Sequence, residues 1–139
     1  MVHIVPDAET RPFWEGIAEG ELRAQRCSAC GRAVFYPRAV CPHCFAGELT
    51  WFRTAGTGTI YSYTVAHRAF GEFAAQVPFT VALVDLDEGV RMLTRIVHAR
   101  PDEVRIGARV RLEITRLAGD DDTGEDNPAL PCFRLVGDA

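Results

Sequence analysis

The stretch CSACGRAVFYPRAVCPHC, residues 27–44, decides how the first third of this chain folds. It holds two C-x-x-C pairs, Cys27 with Cys30 and Cys41 with Cys44, and ten residues separate the two pairs. Zinc prefers four tetrahedral ligands, and a C-x-x-C turn lets two sulfur atoms converge on one ion. Four thiolates leave no open coordination position, so the ion is expected to be structural. The pattern therefore predicts one structural zinc ion held by all four cysteines.

The residues around the two C-x-x-C turns, which we call the knuckles, favour a zinc ribbon. Gly31 follows the first knuckle and Pro42 lies inside the second, and both are turn-forming residues. The strip RAVFYPRAV, residues 32–40, predicts a short hairpin between the knuckles. The cysteine segment is too short to bury a core of its own. Zinc binding, worth roughly 10–16 kcal/mol in such sites, would supply the missing stability.

Other roles for the cysteines fit the pattern less well. A redox dithiol needs one C-x-x-C motif on a thioredoxin-like scaffold, and the sequence shows two pairs and no βαβ pattern. Iron can occupy the same four sulfurs, so zinc and iron both remain open. His43, inside the second knuckle, is expected to face solvent because four cysteines already complete the site. Cys132 stands alone beside Phe133 and is expected to be a small buried hydrophobe.

Length and composition are those of an ordinary globular chain. The 139 residues are 47% hydrophobic and 24% charged. No apolar stretch approaches the roughly 20 residues of a membrane span, and the first residues lack the pattern of a secretion signal, so a cytoplasmic protein is expected. A formal net charge of −4 argues against a general nucleic-acid binder, because such binding rests on cationic contacts to phosphates.

A short helix is expected before the cysteine segment. Thr10 can cap a helix over residues 11–19, and its apolar stripe would contain Phe13, Trp14 and Ile17.

From Gly56 onward the sequence predicts five short strands. GTIYSYTVAH, residues 58–67, is rich in β-branched and aromatic residues. PFTVALVDLDEG followed by VRMLTRIV, residues 78–97, indicates a hairpin that turns at DEG. Apolar and polar residues alternate in RVRLEIT, residues 109–115, and LPCFRLV, residues 130–136, is the final strand. Five strands in about 80 residues are typical of an OB-fold barrel.

These elements predict a mainly β fold with three parts. An N-terminal segment with a short helix covers residues 1–20, a zinc ribbon covers residues 21–54, and a five-stranded OB-fold barrel covers residues 55–139.

The combination of these parts resembles a known family. A helix carrying FWEG, the C-x-x-C ribbon and a barrel strand that opens with GTIYSYTV are together similar to the small zinc-ribbon plus OB-fold proteins that accompany thiolase-like enzymes in bacteria and archaea. The matching stretches are residues 13–16, the two knuckles, residues 58–65 and residues 106–110. The acidic loop GDDDTGEDNP, residues 119–128, departs from the family's plain pattern.

The resemblance implies an accessory subunit, with a rubredoxin-like ribbon joined to an OB-fold, that is not itself an enzyme. Its partners would be thiolases, hydroxymethylglutaryl-CoA synthase-like enzymes, thiolase-fold aldolases or hot-dog-fold enoyl-CoA hydratases, in a hetero-oligomer. The ribbon and the N-terminal helix, with Phe13 and Trp14, would dock on the partner. The barrel would help to form the passage for the acyl-CoA. All four cysteines of the family's zinc site are present.

The long barrel loop HRAFGEFAAQVP, residues 67–78, is a candidate contact with the partner or with CoA. Aromatic and arginine side chains are enriched where interfaces carry binding energy. The candidate residues in the loop are His67, Arg68, Phe70 and Phe73. A solvated loop with one phenylalanine in the barrel mouth is an equally good interpretation.

Two arginines on one predicted strand are further candidates. Arg91 and Arg95 lie four residues apart, so they share a face of the strand. They could meet the CoA phosphates or an acidic partner. Pairing with nearby acidic residues on a solvated face is the simpler alternative and the one that the sequence favours.

Two other functions, nucleic-acid binding and independent catalysis, are alternatives to the accessory role. A nucleic-acid-binding module would use aromatic platforms in a basic groove, and Tyr61 and Tyr63 share a strand face. The acidic loop at residues 119–128 would repel phosphates. An independent enzyme needs a nucleophile with a nearby base, a phosphate-binding glycine loop or a catalytic carboxylate pair, and none is recognisable in the sequence. The run DDDTGED also lacks the spaced ligands of a calcium loop.

Overall fold

The computed structural model describes residues 4–116 and 128–137, with nothing said of the Glu72 side chain. Most of the predicted acidic loop, residues 119–127, lies outside the described part of the chain. The described part is mainly β, with one α-helix, two short 3-10 helices and eight strands. The predicted fold class is confirmed.

The N-terminal helix α1 spans Arg11–Ala18, close to its predicted bounds. Phe13 and Ile17 are buried, as the apolar stripe predicted. Thr10 is the N-cap residue, but its side chain bonds no helical N–H. Instead, Asp7 Oδ1 accepts hydrogen bonds from the Thr10 N–H, from the Thr10 hydroxyl and from one further backbone N–H. These bonds, chiefly those from Thr10, lower the pKa of Asp7 and order the turn that precedes the helix.

The cysteine segment forms a three-stranded antiparallel sheet in the order β2-β1-β3. Its strands are β1 (Arg23–Cys27), β2 (Ala33–Val34) and β3 (Leu49–Arg53).

The predicted hairpin within residues 32–40 is wrong. Ala33 and Val34 pair with β1, so the first knuckle is itself the hairpin turn. Gly31 makes this reversal possible because it adopts a φ of +77°, a conformation that glycine takes at little cost. Residues 35–40 form no strand.

Gln25 holds the segment that returns from β2 towards the second knuckle. Its buried side-chain amide donates to the Arg38 carbonyl at 3.0 Å and accepts from the Arg38 N–H at 2.8 Å. The amide therefore gives the Arg38 backbone the two partners that a neighbouring strand would otherwise supply.

The second half of the chain closes a five-stranded barrel in the order β4-β5-β6-β8-β7. The closure agrees with the predicted OB-fold. The strands are β4 (Thr57–Ala66), β5 (Phe79–Leu86), β6 (Arg91–Ile96), β7 (Arg109–Arg116) and β8 (Ala129–Leu135).

Two irregularities shape the barrel. A β-bulge between Ile60 and Ser62 shifts the register of β4 against β5. Strands β6 and β8 meet through one parallel pair, Ile96 with Phe133, so the barrel is joined more sparsely at that seam than elsewhere. The predicted hairpin is present, with β5 and β6 paired antiparallel along their length.

One hydrophobic core joins the helix, the start of the ribbon and the barrel. Phe13 and Ile17 of α1 and Leu22 before β1 belong to the same buried cluster as Val84 and Phe133 of the barrel. The ribbon's separate cluster of buried residues holds only one valine besides two of the metal-site cysteines, with Ala46 and Leu49 packed against it. The expectation that the ribbon could not build a core of its own is therefore confirmed.

The backbone of β4 lies very close to β5 at Gly58, and a substitution there tests the fold. A Cβ atom at Gly58 would lie 2.5 Å from the Asp85 carbonyl oxygen and 2.8 Å from a methyl of Val84. We expect Gly58→Ala to lower the free energy of unfolding by about 2 kcal/mol, because the backbone of β5 must move to admit the methyl group. Denaturant unfolding measures the change.

Gly47→Ala is the matched control, since a Cβ there meets nothing within 4 Å. Equal stability of the two variants would contradict the close packing of β4 on β5.

Candidate metal centre and contact surfaces

The four cysteines of the knuckles converge as the spacing predicted. The sulfur atoms of Cys27 and Cys44 lie 3.6 Å apart, and those of Cys30 and Cys41 lie 3.8 Å apart. All four sulfurs lie within 4.8 Å of one another. In the described part of the chain they are the one group of three or more His, Cys, Asp or Glu side chains that could hold a metal ion.

The sulfur cluster fits a tetrahedral ion. A metal–sulfur distance of 2.3 Å places neighbouring ligands of a tetrahedron about 3.8 Å apart, which the measured distances approach. Cys27 and Cys41 are buried, while Cys30 and Cys44 are exposed, so the ion would lie close to the surface of the ribbon. Four sulfur ligands would leave it no open position for a substrate.

The protonation of the thiols shows why a cation suits the cluster. Burial raises the pKa of Cys41, but N–H groups of Cys44 and His43 and the thiols of Cys30 and Cys44 outweigh it and bring the pKa to about 7. The N–H of Ala46 lowers the pKa of Cys44, yet the thiol of Cys27 and burial raise it to about 12. Ionisation of one thiol in the cluster thus makes ionisation of the next less favourable. A divalent cation removes this conflict, because it favours all four thiolates together.

Backbone hydrogen bonds hold the knuckles in shape. The Gly31 N–H donates to the Cys27 carbonyl at 2.8 Å, and the Phe45 N–H donates to the Cys41 carbonyl at 2.8 Å. Phe45 takes a φ of +65°, which is uncommon for a residue with a side chain, and its ring is exposed.

The two remaining predictions about this region are consistent with the structure. His43 is exposed beside the site, as expected for a residue that is not a ligand. Cys132 is buried in β8, and burial raises the pKa of its thiol. It lies outside the sulfur cluster.

A row of aromatic rings connects the helix to the ribbon. The ring centroids of Trp14 and Phe13 lie 4.9 Å apart, those of Phe13 and Phe35 lie 5.8 Å apart, and those of Phe35 and Tyr36 lie 4.6 Å apart. The first two of these contacts are edge-to-face, a geometry that is favourable beyond the area that it buries. Phe13 is buried in this row, so its ring packs inside the chain, whereas Trp14 is only partly buried.

Tyr36 then reaches from the ribbon to the barrel. Its hydroxyl accepts a hydrogen bond of 2.8 Å from the Leu93 N–H, at the middle of β6. This is the side of the barrel where β6 makes its single pair with β8. The ribbon therefore supplies a partner for a backbone group in the sparse seam of the barrel.

The loop between β4 and β5 holds its candidate residues in different settings. His67 and Arg68 are exposed, and the Phe70 side chain is 96% exposed. Phe73 lies in the 3-10 helix Gly71–Gln76 and is partly buried beneath the guanidinium of Arg95.

Arg91 and Arg95 share the outer face of β6, as their spacing predicted. Arg91 forms two hydrogen bonds to the carboxylate of Asp85, of 2.6 and 3.2 Å, which raise its pKa. Its guanidinium carbon lies 3.4 Å from the centroid of the Tyr61 ring. One face of the Tyr61 ring is thus already occupied, whereas the Tyr63 side chain is exposed.

No helix in the described ranges is long and apolar enough to cross a membrane.

Comparisons with known proteins agree with this architecture. The family model described as the rubredoxin-like zinc ribbon domain of ChsH2 matches residues 14–50, and the model described as its C-terminal OB-fold domain matches residues 51–115. A DUF35 domain-containing scaffold protein of Methanocaldococcus jannaschii is 36% identical over 113 residues, which are 80% of this chain and 80% of that protein. The chain belongs to the DUF35 family. The resemblance inferred from the sequence is therefore confirmed.

Two further similarities of this DUF35 chain are to proteins whose names include an enzyme. A probable enoyl-CoA hydratase alpha subunit of Thermomonospora curvata is 41% identical over 102 residues, 73% of this chain. This chain spans only 32% of that relative's length. Among solved structures, a chain of the Ltp2-ChsH2(DUF35) aldolase superposes with a TM-score of 0.78 and 34% identity, and the match covers 96% of this chain and 98% of that one.

Sequence reasoning missed two contact residues of this DUF35 chain. The sequence pattern places Tyr36 in a hairpin between the knuckles and Leu93 in a strand, and it predicts no contact between them. The contact between them depends on how the ribbon lies against the barrel, and no periodicity or spacing carries that information. An aromatic residue just before Pro37, in a segment with no strand pattern, was the one available signal.

Replacing one metal ligand tests the centre. We expect Cys41→Ser to lower metal occupancy and to expose the ribbon to trypsin at Arg32 and Arg38, because the ribbon has almost no core of its own. The barrel should persist as a resistant fragment. Limited proteolysis followed by mass spectrometry identifies the cleavage sites.

Cys132→Ala is the control for loss of a cysteine outside the cluster, and its metal content should equal that of the wild type. Equal trypsin resistance of Cys41→Ser and the wild type would show that the metal is dispensable.

The hydrogen bond between ribbon and barrel gives a second test. We expect Tyr36→Phe to destabilise the seam by about 1 kcal/mol and to speed exchange of the Leu93 amide hydrogen several-fold, because the N–H loses its acceptor. Hydrogen exchange followed by NMR measures this directly. Tyr63→Phe removes a hydroxyl elsewhere on the barrel and should leave the Leu93 amide unchanged. Unchanged exchange in both variants would contradict the contact.

Proposed function

We propose that this chain is a non-catalytic accessory subunit of an acyl-CoA-metabolising enzyme. It docks on a thiolase-fold or hot-dog-fold partner in a hetero-oligomer. The observation that carries the proposal is the whole-chain similarity to a chain of the Ltp2-ChsH2(DUF35) aldolase, whose name joins a DUF35 protein to an enzyme. The similarity to part of a probable enoyl-CoA hydratase alpha subunit supports the same class of partner.

The metal in this proposal is zinc, and its role is structural. A closed set of four thiolates suits an ion that fixes the ribbon and takes no part in chemistry. The proposed location is the cytoplasm, where thiols stay reduced and free to bind metal.

We propose a separate role for each of the three parts of the chain, residues 1–20, 21–54 and 55–139. The helix and the ribbon dock on the partner, with the partly exposed Trp14 contributing to the contact. Phe13 supports that ring from beneath, at an angle of 84° between the ring planes. The barrel buttresses the partner's CoA channel, and the shared core makes the three parts move as one support.

The loop at residues 67–78 is proposed as the contact with the partner or with its CoA. An almost fully exposed phenylalanine is unfavourable in water, and Phe70 would gain about 2 kcal/mol or more from burial against a partner or an acyl chain. His67 and Arg68 beside it are exposed and could meet a phosphate or a carboxylate.

Co-expression tests the proposed function. The full chain would be produced with the thiolase-fold or hot-dog-fold enzyme encoded beside its gene, and the mixture separated by size-exclusion chromatography. We expect the two proteins to co-elute and the enzyme to be more soluble or more active with the chain than alone. The proposal fails if they elute separately and the enzyme is fully soluble and active by itself.

A gel-shift assay with single-stranded DNA and RNA at low salt is the companion measurement, since it separates the accessory role from a nucleic-acid-binding one. Clear binding there, without a co-purifying enzyme, would favour the nucleic-acid-binding module.

A further inference from the structure

An exposed face made by both the ribbon and the barrel is not used by the metal centre. Three of its side chains are large and exposed: Tyr36 at 49%, Tyr61 at 51% and Leu93 at 55%. Arg91 and Arg95 flank Leu93 on the same side of β6. We call these five residues the β6 face. Tyrosine and arginine are the residue types that most often carry binding energy at protein interfaces.

The β6 face is continuous across the two parts of the chain. The Tyr36 hydroxyl lies 2.8 Å from the backbone nitrogen of Leu93, and Arg91, two residues before it on the strand, covers the Tyr61 ring. Leu93 also pairs with Leu83 of β5, which is itself only partly buried. Leu93 is therefore the apolar centre of the face, with the Tyr36 hydroxyl and the two arginines around it.

Arg91 is already fixed in place before any partner binds. Two hydrogen bonds to Asp85 and the stacking on Tyr61 hold its guanidinium. Its charge is balanced by that carboxylate. Because its rotamer freedom is already lost in the free chain, covering it with a partner adds little entropic cost.

Arg95 differs from Arg91 in the groups that contact its guanidinium. Its guanidinium carbon lies 3.8 Å from the Phe79 ring centroid and 5.5 Å from that of Phe73, and it donates a hydrogen bond to Gln76. Among the side chains that the structure describes, no carboxylate pairs with it. Burial lowers its pKa, as expected for a cation partly removed from water.

The described groups that contact this half-buried guanidinium are neutral, and a carboxylate added there would be screened less by water than one on an open surface. We propose that the β6 face docks on the partner enzyme at a site that combines an apolar side chain, to cover Leu93, with a carboxylate, to pair with Arg95. This inference rests on the proposed function, and it adds which surface binds and the chemistry that it meets.

The charges on the β6 face favour a different protein over a second copy of this chain as its occupant. The carboxylate that the structure describes on this face, Asp85, is already engaged with Arg91. A second copy meeting the β6 face with its own β6 face would bring more arginine and, among the side chains that the structure describes, no free acid. A partner with an acidic rim around an apolar patch is complementary to the face.

Binding measurements with matched variants test the inference. The full chain, loaded with its metal, would be titrated with the purified enzyme that is encoded beside its gene. We expect Leu93→Glu to weaken the affinity at least about 30-fold and Arg95→Gln to weaken it about tenfold, the sizes expected for residues at the centre of an interface. Arg95→Lys, which keeps the charge, should retain part of the lost affinity.

Two variants outside the face serve as controls. Ile106 is an aliphatic side chain 67% exposed in the turn before β7, and Arg105 beside it is exposed. Ile106→Glu and Arg105→Gln should change the affinity less than about threefold, the size of ordinary surface substitutions. Thermal unfolding and metal content of every variant establish that the fold is kept.

The outcomes separate the two proposals. If the wild type binds the enzyme and the face variants bind equally well, the β6 face is not the docking surface and the accessory role stands. If the wild type does not bind the enzyme, the accessory role fails and the inference fails with it. Self-association that Leu93→Glu abolishes, without enzyme binding, would identify a second copy as the occupant and overturn the inference.

Discussion

The attraction of four thiolates to one metal ion is the interaction on which the fold of the ribbon, and its contacts with the helix and the barrel, depend. Around the knuckles, in the described part of the chain, the only separate cluster of buried residues is Val34 with two of the ligands. Other buried side chains of the ribbon, such as Leu22, belong to the core shared with the barrel, so hydrophobic burial cannot hold the knuckles folded. The sulfur atoms converge to within 4.8 Å, a crowding that thiolates tolerate only around a cation. With the ion bound, the two knuckles become fixed points, and Gln25 and the segment that it holds are positioned between them.

The metal-bound ribbon is attached to the rest of the chain by aromatic packing and by one hydrogen bond to the barrel. The aromatic row places Phe35 against the N-terminal helix and Tyr36 against Phe35, and the Tyr36 hydroxyl accepts a hydrogen bond from the backbone of Leu93 in the seam between β6 and β8. The barrel and the helix share one core, so the ribbon rests on a rigid support. Under the proposed docking role, this arrangement gives a physical reason for joining a metal ribbon to a barrel. The ion shapes a surface that neither part would present alone.

The sequence predicted the features that depend on local pattern. Spacing revealed the four ligands, alternation revealed β7, and the acidic-glycine turn revealed the β5–β6 hairpin. The strand partner of Val34 was predicted wrongly, because reversal at Gly31 depends on a backbone conformation that composition does not show. The setting of Arg95, whose guanidinium lies over the Phe79 ring, and the hydrogen bond from Leu93 to Tyr36 could not be predicted, since both arise from contacts between elements distant in sequence.

The central claim is that one four-sulfur metal ion holds the ribbon in its folded form. X-ray absorption at the zinc edge, together with elemental analysis of the purified chain, tests it most directly. The account predicts one zinc ion per chain with four sulfur ligands at about 2.3 Å. A chain that holds neither zinc nor iron, yet whose ribbon amides remain protected from hydrogen exchange, would contradict it.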